Sequence, residues 1–173
     1  MAAALPRRAS RLRAAFRAFD CLKYFWKKKA PQDGANDLAR AGRYALQAWG
    51  KERLVLIGYS FGADVLPALV NRLPEDVRGR LSALVLIGVS DTATFEIHVA
   101  SWVGGQPKGG LPVGPEVEKL AVPRIVCVYG EDEKGSFCPK VKGATLVRMK
   151  GGHHFDGDYA GIAKRVENEL RRK

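Results

Sequence analysis

A chain of 173 residues, 46% hydrophobic and 27% charged, has the make-up of an ordinary globular domain with a real core. No uninterrupted apolar run approaches the roughly 20 residues that a membrane-spanning helix needs. The formal charge of +11 is uneven: of 29 basic and 18 acidic residues, nine basic ones but only Asp20 fall in residues 1–30. Such an end attracts anionic lipid or nucleic acid without specificity. No element of the body interleaves a basic stripe with aromatics, which argues against specific nucleic-acid readout.

The opening "MAAALPRRASRLRAAFRAFD" has no apolar core and so is not a secretory signal. It is Arg-rich and free of acid until Asp20, as transit peptides are, and residues 1–18 read as a disordered or loosely helical basic segment ahead of one domain, 19–173. "DGANDLARAGRYALQAWG" then places Leu38, Ala41, Ala45, Leu46 and Trp49 on one helical face, with Asp33 or Asn36 as cap and Gly50 as stop. "RLVLIG" (53–58) is a continuous aliphatic run of the kind that forms a strand buried on both faces. "GADVLPALVNRL" reads as a helix with Pro67 early enough to be tolerated.

Further strands are expected at 81–90, 123–130 and 144–149, and "YAGIAKRVENELRR" closes the chain as an amphipathic helix. Strands alternating with helices predict a parallel sheet layered by helices. The Gly- and Pro-rich stretch 91–120 reads as a long loop or small cap over the carboxyl ends of the strands, where open parallel sheets bind ligands. Within it Phe95, Ile97 and Val99 alternate as a short strand would, and His98 reads as a cap or core histidine. The three cysteines match no zinc spacing, and Cys127 in "RIVCVYG" reads as a small buried hydrophobe.

"GYSFG" (58–62) sets a serine between two glycines where a strand hands over to a helix. In that context Ser60 is a candidate nucleophile on a strained turn. A hydroxyl needs a base, and the base an acid to orient it. The third strand runs into "YGEDE": the distance from Gly130 favours Glu133 as acid, the commoner chemistry Asp132. After the fourth strand, "KGGHHFDGDY" offers His153 as base, with His154 beside it as a neighbour or substrate contact. Adjacent histidines diverge and nothing elsewhere answers them, so a metal is not expected. This chemistry calls for no cofactor.

"DCLKYFW", "GYSFGADVLP", "NRLP", "FEIHVASWVGG", "YGEDEKGSFCP" and "GGHHFDGDY" occur in an order that resembles the VirJ/AcvB family of bacterial virulence proteins over residues 19 to about 170. The resemblance implies an α/β-hydrolase-like three-layer sandwich and export to the periplasm. It implies a serine-type hydrolase acting on aminoacylated phosphatidylglycerol, chiefly lysyl-phosphatidylglycerol, at the membrane surface. An association with type IV secretion, and so with secretion-system substrates, comes with it. On that reading Phe61 supplies an oxyanion amide, Tyr59 and His154 flank the substrate, and Asp91, Glu96 or Asp158 meets the lysyl ammonium. Family members carry further strands and a glycine-rich "GDGGW"-like loop before the "DCLKYFW" segment. Their replacement here by an Arg-rich stretch implies an amino-terminally truncated member with about four strands and an exposed first edge. A non-catalytic binding module on the same fold and a general carboxylesterase are the rival readings.

Overall fold

The computed structural model describes residues 18–96 and 110–172. The readings of residues 1–17, of Ile97, His98 and Val99, and of the glycines at 104–109 lie outside the described residues.

A short helix α1 (Cys21–Tyr24) opens the described chain, with the Asp20 carboxylate accepting from the Lys23 N–H at 3.0 Å. Helix α2 (Pro31–Trp49) follows. It starts earlier than Asp33 or Asn36, because Pro31 at its first position needs no hydrogen-bond donor there. Gly50 (φ 56°) ends it in the left-handed conformation, as expected.

Strand β1 (Leu54–Tyr59) leads into α3 (Phe61–Asn71), and α4 (Glu75–Arg78) precedes β2 (Leu81–Ile87). Two-residue strands β3 (Thr92–Ala93) and β4 (Leu111–Pro112) form an antiparallel ribbon at the foot of the 91–120 insertion. Helix α5 (Val113–Glu118), β5 (Ile125–Gly130), β6 (Thr145–Met149) and α6 (Tyr159–Arg171) complete the order. Pro67 sits in the middle of α3 and not in its first turn.

The main sheet is β1-β2-β5-β6, parallel throughout, so the four expected strands are those that pair. On one face α2 and α3 bury Leu84, Leu86 and Cys127 against Ala39, Ala63, Val65 and Leu69, with Phe25 from the α1 segment wedged in. On the other, α6 brings Ile162 and Val166 over Val85, Val126, Val128 and Val147. Glu116 of α5 is held by the two terminal guanidinium nitrogens of Arg72, each at 3.1 Å, which pins the insertion to the end of α3.

Two expectations need correction. The run 53–58 is not buried on both faces: Val55, Ile57 and Tyr59 are 38%, 48% and 39% exposed. Among the described residues α6 covers the far side of β2, β5 and β6 and meets the edge strand β1 at its end, where Tyr159 packs edge-on against Tyr59 at 6.3 Å, leaving Val55 and Ile57 outward. The continuous aliphatic pattern records a demand for cover, not its presence.

Cys127 is not a free hydrophobe either. It is disulfide-bonded to Cys138, 11 residues on, and both are fully buried. The bridge closes a loop containing Glu133, and a cross-link of this length restricts the unfolded chain by about 2–3 kcal/mol. Under reducing conditions, or as Cys138→Ser, the protein is expected to lose stability of about that size in urea unfolding. An unchanged midpoint would show that the bridge contributes nothing.

Candidate active site

Four parallel strands end at one level, and the residues just past their carboxyl ends converge. After β1 the chain turns through Ser60 at φ 52°, ψ −123°. This is a sparsely populated conformation for a side-chain-bearing residue, costing on the order of 1–3 kcal/mol. The turn is anchored by the Ser60 N–H donating to the Ile87 carbonyl at 2.8 Å. The other non-glycine residues with positive φ among those described are Phe155 and Asp156, in the turn that follows His153 and His154. Backbone strain is thus confined to the two segments that must meet.

The motif's two glycines have different duties. A Cβ on Gly58 would lie 2.6 Å from the Gly62 carbonyl oxygen and 2.7 Å from the Ala63 Cα, backbone atoms that cannot give way. A Cβ on Gly62 would meet only the Cys21 Sγ, at 3.5 Å. Close approach of strand to helix is therefore required at Gly58 alone.

His153 Nε2 lies 2.8 Å from Ser60 Oγ, and its Nδ1 lies 2.5 Å from Glu133 Oε1. The tautomer with its proton on Nδ1 satisfies both contacts, donating to the carboxylate and accepting from the hydroxyl. Glu133 is 9% exposed, and its other oxygen accepts from the Gly130 N–H at 3.3 Å. The structure thus brings Glu133, not Asp132, to the histidine; the Asp132 side chain is exposed, and its backbone N–H donates to the Gly151 carbonyl. His154 turns aside, its Nδ1 3.0 Å from the Tyr59 hydroxyl. Tyr59 stacks on the His153 ring at 5.9 Å, so it contacts both histidines.

Two neighbours escaped the sequence reading. Gly88, just past β2, sits in the left-handed region at φ 62°, and a Cβ there would strike the His153 ring at 2.9 Å. Asp64, one turn into α3 from Ser60, accepts from the Ser90 N–H at 2.7 Å, joining α3 to the loop that carries Gly88. Burial pushes the Asp64 carboxyl up to about 7, against the hydrogen bonds from Ser90 and the attraction of His153. The signal for Asp64 was present as a lone acid in the apolar run "FGADVLPALV".

The Phe61 amide is at the first position of α3, where helix N–H groups have no partner within the helix. The Phe25 ring, from the α1 segment, packs 5.4 Å from the Phe61 ring. Of the acids considered for a substrate ammonium, Asp91 pairs with Lys140 at 3.0 Å and Asp158 caps α6 through the Gly161 N–H. Glu96 is half-buried at the edge of the insertion.

The chain matches the family described as "Bacterial virulence protein (VirJ)" over residues 14–173. A comparison with curated protein sequences gives no match. Solved structures similar to it include a thioesterase domain from the curacin biosynthetic pathway, at TM-score 0.55 and 13% identity, covering 81% of this chain and 73% of that one. A lipase-esterase related protein from Clostridium acetobutylicum aligns at 0.55 and 13%, covering 82% and 77%. The N-acyl homoserine lactonase AidH complexed with N-butanoyl homoserine aligns at 0.55 and 16%, covering 88% and 72%. These likenesses establish the α/β-hydrolase fold.

Two outcomes test the site's construction. Gly58→Ala is expected to abolish cooperative folding, whereas Gly62→Ala melts within a few degrees of the parent; equal effects would refute the division of duties. The raised Asp64 carboxyl means that the native state keeps a proton that the unfolded chain sheds. Its contribution to stability is therefore full below the unfolded value of 3.8 and is lost as pH rises through about 7. Asp64→Asn should flatten that decline in denaturant unfolding measured across this range, and an unaltered decline would assign it to other groups.

Proposed function

Because the chain belongs to the VirJ family of bacterial virulence proteins, we propose that Ser60, His153 and Glu133 are the catalytic triad of a serine ester hydrolase whose substrate is the aminoacyl ester of a phospholipid, chiefly lysyl-phosphatidylglycerol. The observation that carries the catalytic reading is one imidazole bonded to the hydroxyl at 2.8 Å and to the carboxylate at 2.5 Å. The strained backbone at Ser60 supports it, since a turn serine without a task has no reason to hold that conformation. The acyl-ester chemistry in the names of the structural relatives agrees with it.

The reaction then runs in two halves. His153 Nε2 takes the Ser60 proton as Oγ attacks the ester carbonyl carbon, and the Phe61 amide faces the oxyanion. The tetrahedral intermediate collapses, His153 returns the proton to the departing glycerol oxygen, and phosphatidylglycerol leaves. The lysyl group remains esterified to Ser60. Water, deprotonated by His153, attacks the same carbonyl, and collapse with reprotonation of Oγ frees lysine. Glu133 accepts from Nδ1 throughout and stabilises the imidazolium that forms twice.

A periplasmic location rests on the family. The Cys127–Cys138 bridge supports it, since disulfides persist in oxidising compartments such as the periplasm. Among the described residues no helix is long and apolar enough to cross a membrane.

The test pairs a chemical probe with the lipid. A fluorophosphonate should label the protein at Ser60, with labelling lost in Ser60→Ala. In His153→Ala and Glu133→Ala it should fall by roughly three orders of magnitude, while Asp132→Ala and His154→Ala retain most of it. Incubation with lysyl-phosphatidylglycerol should release lysine and leave the phospholipid. Release of fatty acid would make the enzyme a phospholipase, and turnover of simple esters alone would make it a general carboxylesterase. Lipid binding with neither turnover nor labelling would leave a binding module.

A further inference from the structure

The segment between residues 19 and 29 is used only in part by the core. Phe25 is fully buried, and the Tyr24 hydroxyl donates to the Asp37 carboxylate, so the segment is fastened at those two points. A third fastening is the Lys29 N–H, which donates to the Phe95 carbonyl at 3.0 Å. What remains faces outward. Trp26 is 62% exposed and Phe19 is 42% exposed, both large for a solvated surface. Lys23, Lys27 and Lys28 are exposed beside them, and Lys29 lies over the Tyr24 ring at 4.5 Å.

Two of the acids near this segment are occupied. Asp20 caps α1, and Asp37 is engaged by Tyr24 and by Arg40 at 2.5 Å, leaving Asp33, in the first turn of α2, to oppose the lysines. The patch also abuts the nucleophile's helix: the Cys21 Sγ is the nearest atom to the place a Cβ on Gly62 would take, and Phe25 packs on Phe61.

We propose that the Phe19–Trp26 aromatics and the lysines at 23, 27 and 28 form a docking surface for an anionic phospholipid bilayer, seating the protein with its active-site end toward the lipid headgroups. The chemistry of the patch selects that partner. Trp is suited to the headgroup boundary, where one part of the ring is dry and its N–H is wet, and lysines gain from a negative surface potential while their stems lie along apolar surface. A nucleic acid would be met by the same charge, but stacking on bases calls for several aromatics arrayed along a basic groove, and here two exposed rings stand on an 11-residue segment. The proposal rests on the lipid-hydrolase reading for its purpose and not for its test.

The experiment uses the full chain with vesicles of phosphatidylglycerol, vesicles of phosphatidylcholine, and duplex DNA. Partitioning onto phosphatidylglycerol alone is expected, weakened by added salt, with a shift of tryptophan emission to the blue. Trp26→Ala should abolish the shift, although Trp49 and Trp102 remain. Lys27→Gln/Lys28→Gln should lower partitioning by about 25-fold, at about fivefold per lysine near an anionic surface. None of these variants should alter fluorophosphonate labelling of Ser60 without lipid. Variants that partition as the parent does would overturn the proposal, and so would tighter binding to DNA with Trp26 emission unmoved. Loss of the Ser60 label in the parent would sink the hydrolase reading while leaving the vesicle result to stand or fall by itself.

Discussion

An imidazole can hold a hydroxyl on one nitrogen and a carboxylate on the other only if both partners reach the edges of one ring, on opposite sides. His153 does this with partners 93 and 20 residues away in sequence, and the rest of the architecture is arranged around that requirement. A parallel sheet meets it cheaply, because strands that run the same way all end on the same side. Ser60 leaves β1, Gly88 leaves β2, Glu133 follows β5 and His153 follows β6, in the order in which the four strands lie side by side.

Holding the ring still requires more than the two bonds. Gly88 leaves room for the imidazole, Tyr59 stacks against it, and the neighbouring His154 is drawn off by the Tyr59 hydroxyl. The loop carrying Gly88 is tied to α3 by Asp64 and to β5 by the Gly88 N–H donating to Val128 at 2.9 Å. The loop carrying Glu133 is closed by a buried disulfide. Each element that presents a group of the candidate site is thus fastened to the element that presents the next. The cost is local: a strained serine, a half-buried carboxyl whose pKa is raised to about 7, and two left-handed residues after the histidines.

The two faces of the sheet are unequally covered, and the difference shapes the surface. β2 and β5 lie between helices, with Leu84, Val85, Leu86, Val126 and Val128 wholly buried. β1 leads into Ser60 yet presents Val55 and Ile57 outward, on a face that α6 meets through the Tyr159–Tyr59 ring contact at its end. Its inward residues pack against α2 and α3, so the elbow is supported from one side.

The sequence by itself determined the order of the four main-sheet strands and the three long helices, the parallel sheet and the strand-to-helix turn at Ser60. These are local properties: aliphatic runs of strand length, helical periodicity, and a glycine–serine turn between them. It also located the loops that carry Glu133 and His153, because each follows a strand. It could not choose Glu133 over Asp132, since adjacent residues differ in direction and only the packed loop decides which one turns inward. It could not pair Cys127 with Cys138, because pairing depends on where a chain returns and not on spacing. Gly88 stayed invisible as part of the site for the same reason: its role exists only against His153, which comes from the far end of the chain, and Asp64 showed as no more than a lone acid in an apolar run until the fold brought Ser90 to it. The exposure of β1 was misread because an apolar pattern states what a strand needs, and only the tertiary structure decides which faces are covered.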